Sequence, residues 1–183
     1  FSFIVNPAIT TLPLPVGAKD GVTYVNDSTV ILTLFAPFKS GVYALGGFNN
    51  FVAQPSAYMN RTPDGKTYWL QLNGLTPGQE YVYQYLIDGN IKIADPYSEK
   101  ILDPSNDGSI GVATNPNPTP YPSTKTSGIA SVFQTAQTPY TWQVSNFAKP
   151  KKTDLVIYEL LIRDFIQAHN YKTLIDTLDY LEN

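Results

Sequence analysis

Five short segments between Ser28 and Ala94 are rich in β-branched, aromatic and other apolar residues and are separated by polar turn residues, a pattern typical of β-strands. In the clearest case, Tyr81–Ile87, large apolar or aromatic residues occupy every second position, so Gln84 points to the opposite face. Pro63-Asp64-Gly65 and Asp88-Gly89 supply tight turns between such segments. Short strands with closely spaced turns predict an all-β fold, an antiparallel β-sandwich. The predicted strands are Ser28–Ala36, Val42–Phe48, Thr67–Leu72, Tyr81–Ile87 and Ile91–Ala94.

A different pattern follows near the end of the chain, at Asp154–Phe165. Leu155 to Tyr158 form an unbroken apolar run, which is typical of a strand covered on both faces. After a polar loop, apolar residues recur from Tyr171 to Leu181 at the spacing of one helix face. The two segments together predict one C-terminal β/α unit, with which we expect a larger domain to begin.

Two stretches rich in proline flank the predicted sandwich. Phe1–Val5 is interpreted as a strand, and the following residues to Gly17 as an extended linker. Residues 106–153 alternate proline with other residues at 116–122, yet they carry many apolar side chains. Because this apolar content is too high for a free linker, we predict an ordered, irregular connector with a short strand at Ser131–Gln134.

Composition narrows the possible functions. The 183 residues include 43% hydrophobic and 15% charged residues, with a net charge of −3. There is no basic patch to attract nucleic acid and no apolar run of about 20 residues to span a membrane. The absence of cysteine excludes disulfides and thiolate zinc sites. No signal peptide is visible, so the location stays open, with a secreted, periplasmic or cell-surface setting slightly favoured.

Several motifs carry a resemblance to a known family. Val42–Phe51 (VYALGGFNNF), Thr62–Gly89 and Ala94–Pro104 (ADPYSEKILDP) resemble the N-terminal early-set, Ig-like domain of the α-amylase superfamily, related to family-48 carbohydrate-binding modules. Asp154–Phe165 resembles the first strand, and Thr173–Asn183 the first helix, of the same enzymes' TIM barrel. The resemblance implies a glycoside hydrolase acting on α-glucans such as starch, glycogen or pullulan, without a cofactor.

No catalytic residue is expected in this chain. Retaining glycosidases need two carboxylates about 5–5.5 Å apart, and the family's catalytic acids lie on later barrel strands. Glu159 and Asp164 would be roughly 16 Å apart on opposite faces of a strand, too far to act together. His169 has no partners for nucleophilic catalysis. Asp103–Gly108 (DPSNDG) lacks the spacing of a calcium loop, so no metal site is predicted.

Glucan-binding members of the related module family use two tryptophans and a lysine, and this sequence departs from that pattern at all three positions. Phe51, Gln84 and Ile91 stand there instead. Phe51 keeps an aromatic face that could stack on a sugar ring. Trp69 and Trp142 are further candidates, although packing is the more common role of such residues. Phe51, Trp69 and Trp142 are therefore candidate carbohydrate-binding residues.

These observations predict four regions and an accessory role. They are an upstream segment and linker (1–17), the sandwich (18–105), the connector (106–153) and the truncated first barrel unit (154–183). The expected partners are an α-glucan, reached through the full-length enzyme, and the rest of the barrel; the truncated unit could also self-associate. A stand-alone glucan-binding module and a protein-interaction sandwich remain alternatives, since this fold hosts many roles.

Overall fold

The computed structural model describes residues 7–182, and their secondary structure is mainly β. Nine strands occur in this range, and the α-helices in it are short. The strands are β1 (Gly21–Asn26), β2 (Thr29–Phe35), β3 (Val42–Gly46), β4 (Asn60–Arg61), β5 (Thr67–Leu72), β6 (Glu80–Ile87), β7 (Ile91–Ile93), β8 (Lys100–Leu102) and β9 (Ala130–Gln134). The helices are α1 (Ile162–Phe165), α2 (Tyr171–Ile175) and α3 (Leu178–Glu182).

The strands form two antiparallel sheets. The first, sheet A, has the order β1-β2-β5-β4. The second, sheet B, has the order β3-β6-β9-β8, and β7 also pairs with β6. This arrangement confirms the prediction of an antiparallel, sandwich-like β fold.

The core of the sandwich lies between the inner faces of the two sheets. Val30, Leu32 and Leu34 of β2 pack with the tyrosines at positions 81, 83 and 85 of β6 and with Phe133 of β9. The predicted alternation in β6 is therefore confirmed, because its odd-numbered residues enter the core. A smaller cluster on the outer face of sheet B contains Tyr43, Leu45, Ala57 and Leu86.

The described chain divides into two compact units. The first comprises the described residues up to Gly108 together with Thr119–Thr138, and it contains both sheets. The second comprises Ser109–Pro118 and the described residues from Pro139 onward. The stretch predicted to be a connector is thus shared between the units. Its short strand is present as β9, which pairs with both β6 and β8 and so is central to sheet B.

The predicted strand at Asp154–Phe165 is wrong for this structure. Residues 155–161 have no regular secondary structure, and α1 follows them. The side chain of Val156 is 97% exposed, and that of Ile157 is also exposed. A β-strand needs a neighbouring strand to take up its backbone hydrogen bonds, and no described segment pairs with these residues. An apolar run alone is therefore not sufficient to form a strand, and the described residues contain no TIM-barrel unit.

The predicted helix from Tyr171 to Leu181 is present as two short helices, α2 and α3. Asn170 caps the first, because its side chain accepts a hydrogen bond from the Thr173 N–H at 2.9 Å. The Thr177 hydroxyl donates to the carbonyls of Thr173 (3.2 Å) and Leu174 (2.9 Å) at the junction. Such side-chain bonds compete with the helix ladder. Over residues 7–182, no helix is both long and apolar enough to cross a membrane.

The N-terminal segment is not a free linker throughout. The Leu12 N–H donates to the Arg61 carbonyl (3.0 Å), and the Arg61 N–H donates to the Thr10 carbonyl (2.9 Å). Thr11 and Arg61 form a parallel bridge. Residues 10–12 therefore lie along the outer edge of β4. The strand predicted at Phe1–Val5 lies outside the described residues.

Candidate carbohydrate-binding surfaces

Phe51 lies on the outer face of sheet B, where it packs beside the small cluster around Tyr43 and Leu86. Its backbone φ is +59°, in the left-handed region that non-glycine residues rarely adopt. The Phe51 N–H donates to the Gly46 carbonyl at 2.9 Å, which fixes this turn to the end of β3. Phe51 is half-buried, and its contacts are those of a packing residue.

Gln84 lies on the same outer face and is almost completely buried. Its amide Nε2 donates to the carbonyls of Ser127 (3.0 Å) and Ile129 (2.7 Å). The Thr126 hydroxyl donates to the Gln84 Oε1 atom. One side chain thus satisfies three polar groups of the Thr126–Ile129 segment and holds that segment against the sheet. The surface around Gln84 is therefore covered by the chain itself.

Ile91 does not join Phe51 and Gln84 on that face. It pairs with Ile87, which packs in the main core, and directly opposite residues of two strands lie on the same face. Lys92 instead takes the outer face, opposite Leu86, and its Nζ donates to the Thr126 hydroxyl at 3.1 Å. Phe51 and Gln84 thus make packing and covering contacts on the outer face of sheet B, and Ile91 lies on the opposite face.

Trp69 lies on the outer face of the other sheet. It pairs with Thr33 of β2, while its neighbour Tyr68 is fully buried in the core. The Trp69 indole N–H donates to the Leu12 carbonyl at 3.3 Å, so the N-terminal segment is bonded to the ring. Trp69 therefore points away from the core. Trp69 and Phe51 occupy different sheets and are not brought together.

Trp142 belongs to the second unit and is 77% exposed. Its ring meets that of Tyr140 edge-on, with the ring centroids 5.0 Å apart and the planes at 80°. The pair presents an open aromatic surface. A contact between Trp142 and sugar stays a prediction.

A buried polar network joins strands β6 and β9 to the turn after β7. The hydroxyls of Tyr83 and Tyr85 donate to Asp95 Oδ2 at 2.8 and 3.0 Å. The Asp95 N–H donates to Ser131 Oγ at 2.7 Å, and the Tyr97 N–H donates to Asp95 Oδ1 at 2.8 Å. Burial raises the pKa of Tyr83 and Tyr85 well above 10.0, and the Asp95 carboxylate raises both further. Both hydroxyls therefore stay protonated and act as donors.

Asp95 thus links the turn after β7 to strands β6 and β9. Because it is buried and faces only donors, its carboxylate is a structural acceptor rather than a group free for catalysis. The signal for this role lay in the sequence of β6. Tyrosines at alternating positions bury their hydroxyls, and buried hydroxyls need partners.

A groove opens at one side of the sandwich, beside β1 at the edge of sheet A. Its volume is about 370 Å³. Tyr24 and Tyr97 line it and remain partly exposed. Burial raises the pKa of Tyr24, and the Coulombic effect of the nearby Glu99 carboxylate raises it further. Neither tyrosine was singled out from the sequence, because β1 was not predicted and the tyrosines are 73 positions apart in the chain.

Within the described part of the chain, no group of three or more His, Asp and Glu side chains is placed to hold a metal ion. The loop Asp103–Gly108 is instead a self-contained turn. Asp103 accepts from the Ser105 N–H (3.0 Å), and its own N–H donates to Asp107 Oδ2 (2.8 Å). The carboxylates of Asp103 and Asp107 are therefore engaged in hydrogen bonds within this loop.

The fold and these surfaces define a two-sheet antiparallel β-sandwich with a second small unit. Neither a protein-family model nor a curated protein matches the chain. Among solved structures, the chain is similar to the catalytic module of the multi-modular glycogen-degrading pneumococcal virulence factor SpuA, in complex with an inhibitor. That match has 23% identity and a TM-score of 0.53, and it covers 90% of this chain and 25% of that one.

A second similar structure is that of a mutant pullulanase from Paenibacillus barengoltzii complexed with maltotetraose. It has 22% identity and a TM-score of 0.35, with 48% of this chain and 13% of that one covered. The chain therefore spans at most a quarter of these two proteins. At these identities, the similarity to SpuA establishes a shared fold only.

Proposed function

We propose that this chain contains the accessory, early-set type β-sandwich of a glycoside hydrolase of the α-amylase superfamily that acts on α-glucans. The observation that carries the proposal is the fold similarity to the glycogen-degrading SpuA catalytic module over 90% of the chain. The order of the motifs at Val42–Phe51, Ala94–Pro104 and Asp154–Phe165 supports the same assignment.

The proposed organisation assigns residues 18–105 to the accessory sandwich and residues 154–183 to the catalytic domain. The exposed apolar side chains of Leu155, Val156 and Ile157 support the second assignment. Side chains of this kind are normally buried, and a continuous exposed group of them marks an interaction surface. We infer that in the complete protein they contact the rest of the catalytic domain.

The chain itself is proposed to be non-catalytic. Hydrolysis of a glycosidic bond needs two carboxylates that flank the bond. Three acids of the sandwich are engaged in structure, the first two being Asp95, which accepts from two tyrosines, and Asp88, which accepts from Ser40. Glu80 forms an ion pair with Lys100 at 2.6 Å. Each of these carboxylates is already occupied by donors of its own chain.

The outer face of sheet B is proposed to support the fold rather than to bind glucan. Gln84 and the Thr126–Ile129 segment cover it, and Lys125 also donates to Asn50 Oδ1 beside Phe51. A glucan would have to displace these contacts to reach the sheet. This observation favours the accessory role over a stand-alone module that uses the related family's surface.

The proposal is tested with two proteins. The product of the complete reading frame is expected to release reducing sugars from starch, glycogen or pullulan. The 183-residue chain is expected to release none above the buffer control. Absence of glucan hydrolysis by the first protein would refute the assignment, and hydrolysis by the second would refute the non-catalytic role.

We further propose that the isolated chain self-associates through the apolar residues 155–158. The matched variants are Val156→Glu on this surface and Phe38→Glu on an exposed loop of the first unit. The wild-type chain and Phe38→Glu should show dimers or larger species by multi-angle light scattering at micromolar concentration. Val156→Glu should shift them to monomer, because a buried charge without a partner is costly. A monomeric wild-type chain would contradict this idea.

A further inference from the structure

The groove beside β1 has the dimensions of a ligand site. Its volume of about 370 Å³ lies within the range of roughly 300–1,000 Å³ that is usual for small-molecule pockets. It lies along the first strand of sheet A and reaches Val132 of sheet B, so both sheets contribute. Its lining includes the side chains of Lys19, Asp20, Val22, Tyr24, Tyr97 and Glu99.

Two tyrosines supply exposed aromatic surface in the groove. Tyr97 is 60% exposed and Tyr24 is 40% exposed. An aromatic ring can stack on the apolar face of a sugar ring, while its hydroxyl still bonds to water or ligand. Partly exposed tyrosines are therefore suited to a ligand that has both apolar and hydroxylated surfaces.

The backbone that carries Tyr97 is held firmly. Its N–H donates to Asp95 Oδ1 at 2.8 Å, and Asp95 is anchored by the buried hydroxyls of Tyr83 and Tyr85. Tyr97 also sits directly over Gly21, where an added Cβ atom would lie 2.7 Å from the Tyr97 Cβ. The buried network thus fixes the start of the Tyr97 side chain before any ligand arrives, which lowers the entropic cost of binding.

The polar groups of the groove restrict the class of ligand. Asp20 and Glu99 carry negative charge and Lys19 carries positive charge, so the wall offers both acceptors and donors. An anionic ligand would meet two carboxylates and only one ammonium group. A purely apolar ligand would desolvate all three charges without replacing their hydrogen bonds. A neutral ligand with many hydroxyls meets neither penalty.

We propose that this groove binds a short stretch of a neutral oligosaccharide, with Tyr97 and Tyr24 as the stacking residues. The assignment of the sugar as an α-1,4-glucan rests on the function proposed above. The site is separate from the outer face of sheet B, which the Thr126–Ile129 segment covers. Binding here would hold a glucan chain on the accessory sandwich without any catalytic group of this chain.

The experiment measures maltoheptaose binding to the 183-residue chain by isothermal titration calorimetry. Tyr97→Ala should raise the dissociation constant about tenfold or more, because truncation of an anchoring aromatic removes most of its contact surface. Phe38→Ala is the matched control, since Phe38 is 99% exposed and does not line the groove. It should leave the dissociation constant within about twofold of the wild-type value. Thermal melting checks that both variants remain folded.

A second readout locates the ligand without a variant. Maltoheptaose should shift the backbone amide resonances of Val22 and Val132 in an NMR titration, because both residues line the groove. The amide of Phe51 should not shift. The proposal is overturned if the wild-type chain does not bind, if Tyr97→Ala binds as tightly as wild type, or if the shifts centre on Phe51.

The outcome is separable from that of the accessory assignment. If the complete reading frame hydrolyses glucan but this chain does not bind maltoheptaose, only the groove proposal fails. If maltoheptaose binds through Tyr97 but the complete protein hydrolyses no glucan, the groove stands and the accessory assignment fails.

Discussion

Replacing Asp95 with alanine should destabilise the sandwich more than any surface substitution in it. The change removes the acceptor for two buried tyrosine hydroxyls and for the Tyr97 N–H. Leaving one buried donor without a partner costs about 1–3 kcal/mol. Since Tyr83 and Tyr85 both lose their partner deep in the core, we expect a loss of about 3–5 kcal/mol in the free energy of unfolding.

The measurement is urea denaturation of the full chain, followed by the near-ultraviolet circular dichroism of the buried tyrosines. A loss of this size corresponds to a melting temperature lower by about 6–20 °C for a protein of this length. Asp95→Asn should lose less, because its amide keeps the Oδ1 acceptor for the Tyr97 N–H. The free energy of unfolding should increase in the order Asp95→Ala, Asp95→Asn, wild type. Because asparagine and aspartate have similar sizes, the difference between Asp95→Asn and wild type reports lost hydrogen bonding rather than lost packing.

A double-mutant cycle measures the coupling between Asp95 and Tyr85. Tyr85→Phe removes the donor, so in the Asp95→Ala background it should cost at least about 1 kcal/mol less than in the wild-type background. The hydroxyl would then no longer be buried without a partner. A loss below about 1 kcal/mol for Asp95→Ala, or full additivity in the cycle, would refute the role assigned to this network.

Two further predictions concern turns and close packing. Hydrogen bonds from Ser40 hold the pKa of Asp88 below 3.8. The contact therefore stabilises the fold fully above pH 3.8, and this stabilisation is lost as the pH falls through the lower folded-state pKa. Ser40→Ala should therefore raise the Asp88 pKa in an NMR titration, and an unchanged pKa would contradict the assignment. Gly46→Ala would place a Cβ 2.8 Å from the Val82 carbonyl oxygen and should lower the free energy of unfolding by about 1–3 kcal/mol. The control is Gly108→Ala, which has open space around it and should lower that free energy by less than about 1 kcal/mol in the same denaturation assay.

The central strands were predictable from the sequence because they are rich in β-branched and aromatic residues and are bounded by turn residues. Thr67–Leu72 has the same bounds in the sequence and in the structure, and Glu80–Ile87 differs by one residue. Strands β1, β4 and β8 were not predicted. β4 and β8 are two and three residues long, and β1 is an edge strand with a mostly exposed second half. Short or half-exposed strands carry little periodic signal.

The candidate site was harder to predict, because the residues that cover it are far from it in the sequence. The period of two places Gln84 outside the core, but it does not reveal that residues 42 to 45 positions later bond to it. The apolar run from Leu155 to Tyr158 failed for a related reason. Its residues favour a buried strand, yet a strand forms only beside another strand. Both cases depend on what lies opposite a residue, which a local pattern does not contain.

The pairing of residues 10–12 with β4 affects how the protein behaves at high concentration. An unpaired edge strand presents free N–H and C=O groups on which another molecule can add a strand. Here the backbone of Arg61 is already paired with Thr10 and Leu12, so that edge of sheet A is shielded. Residues 10–12 thus reduce the tendency of the sandwich to aggregate through this edge of sheet A.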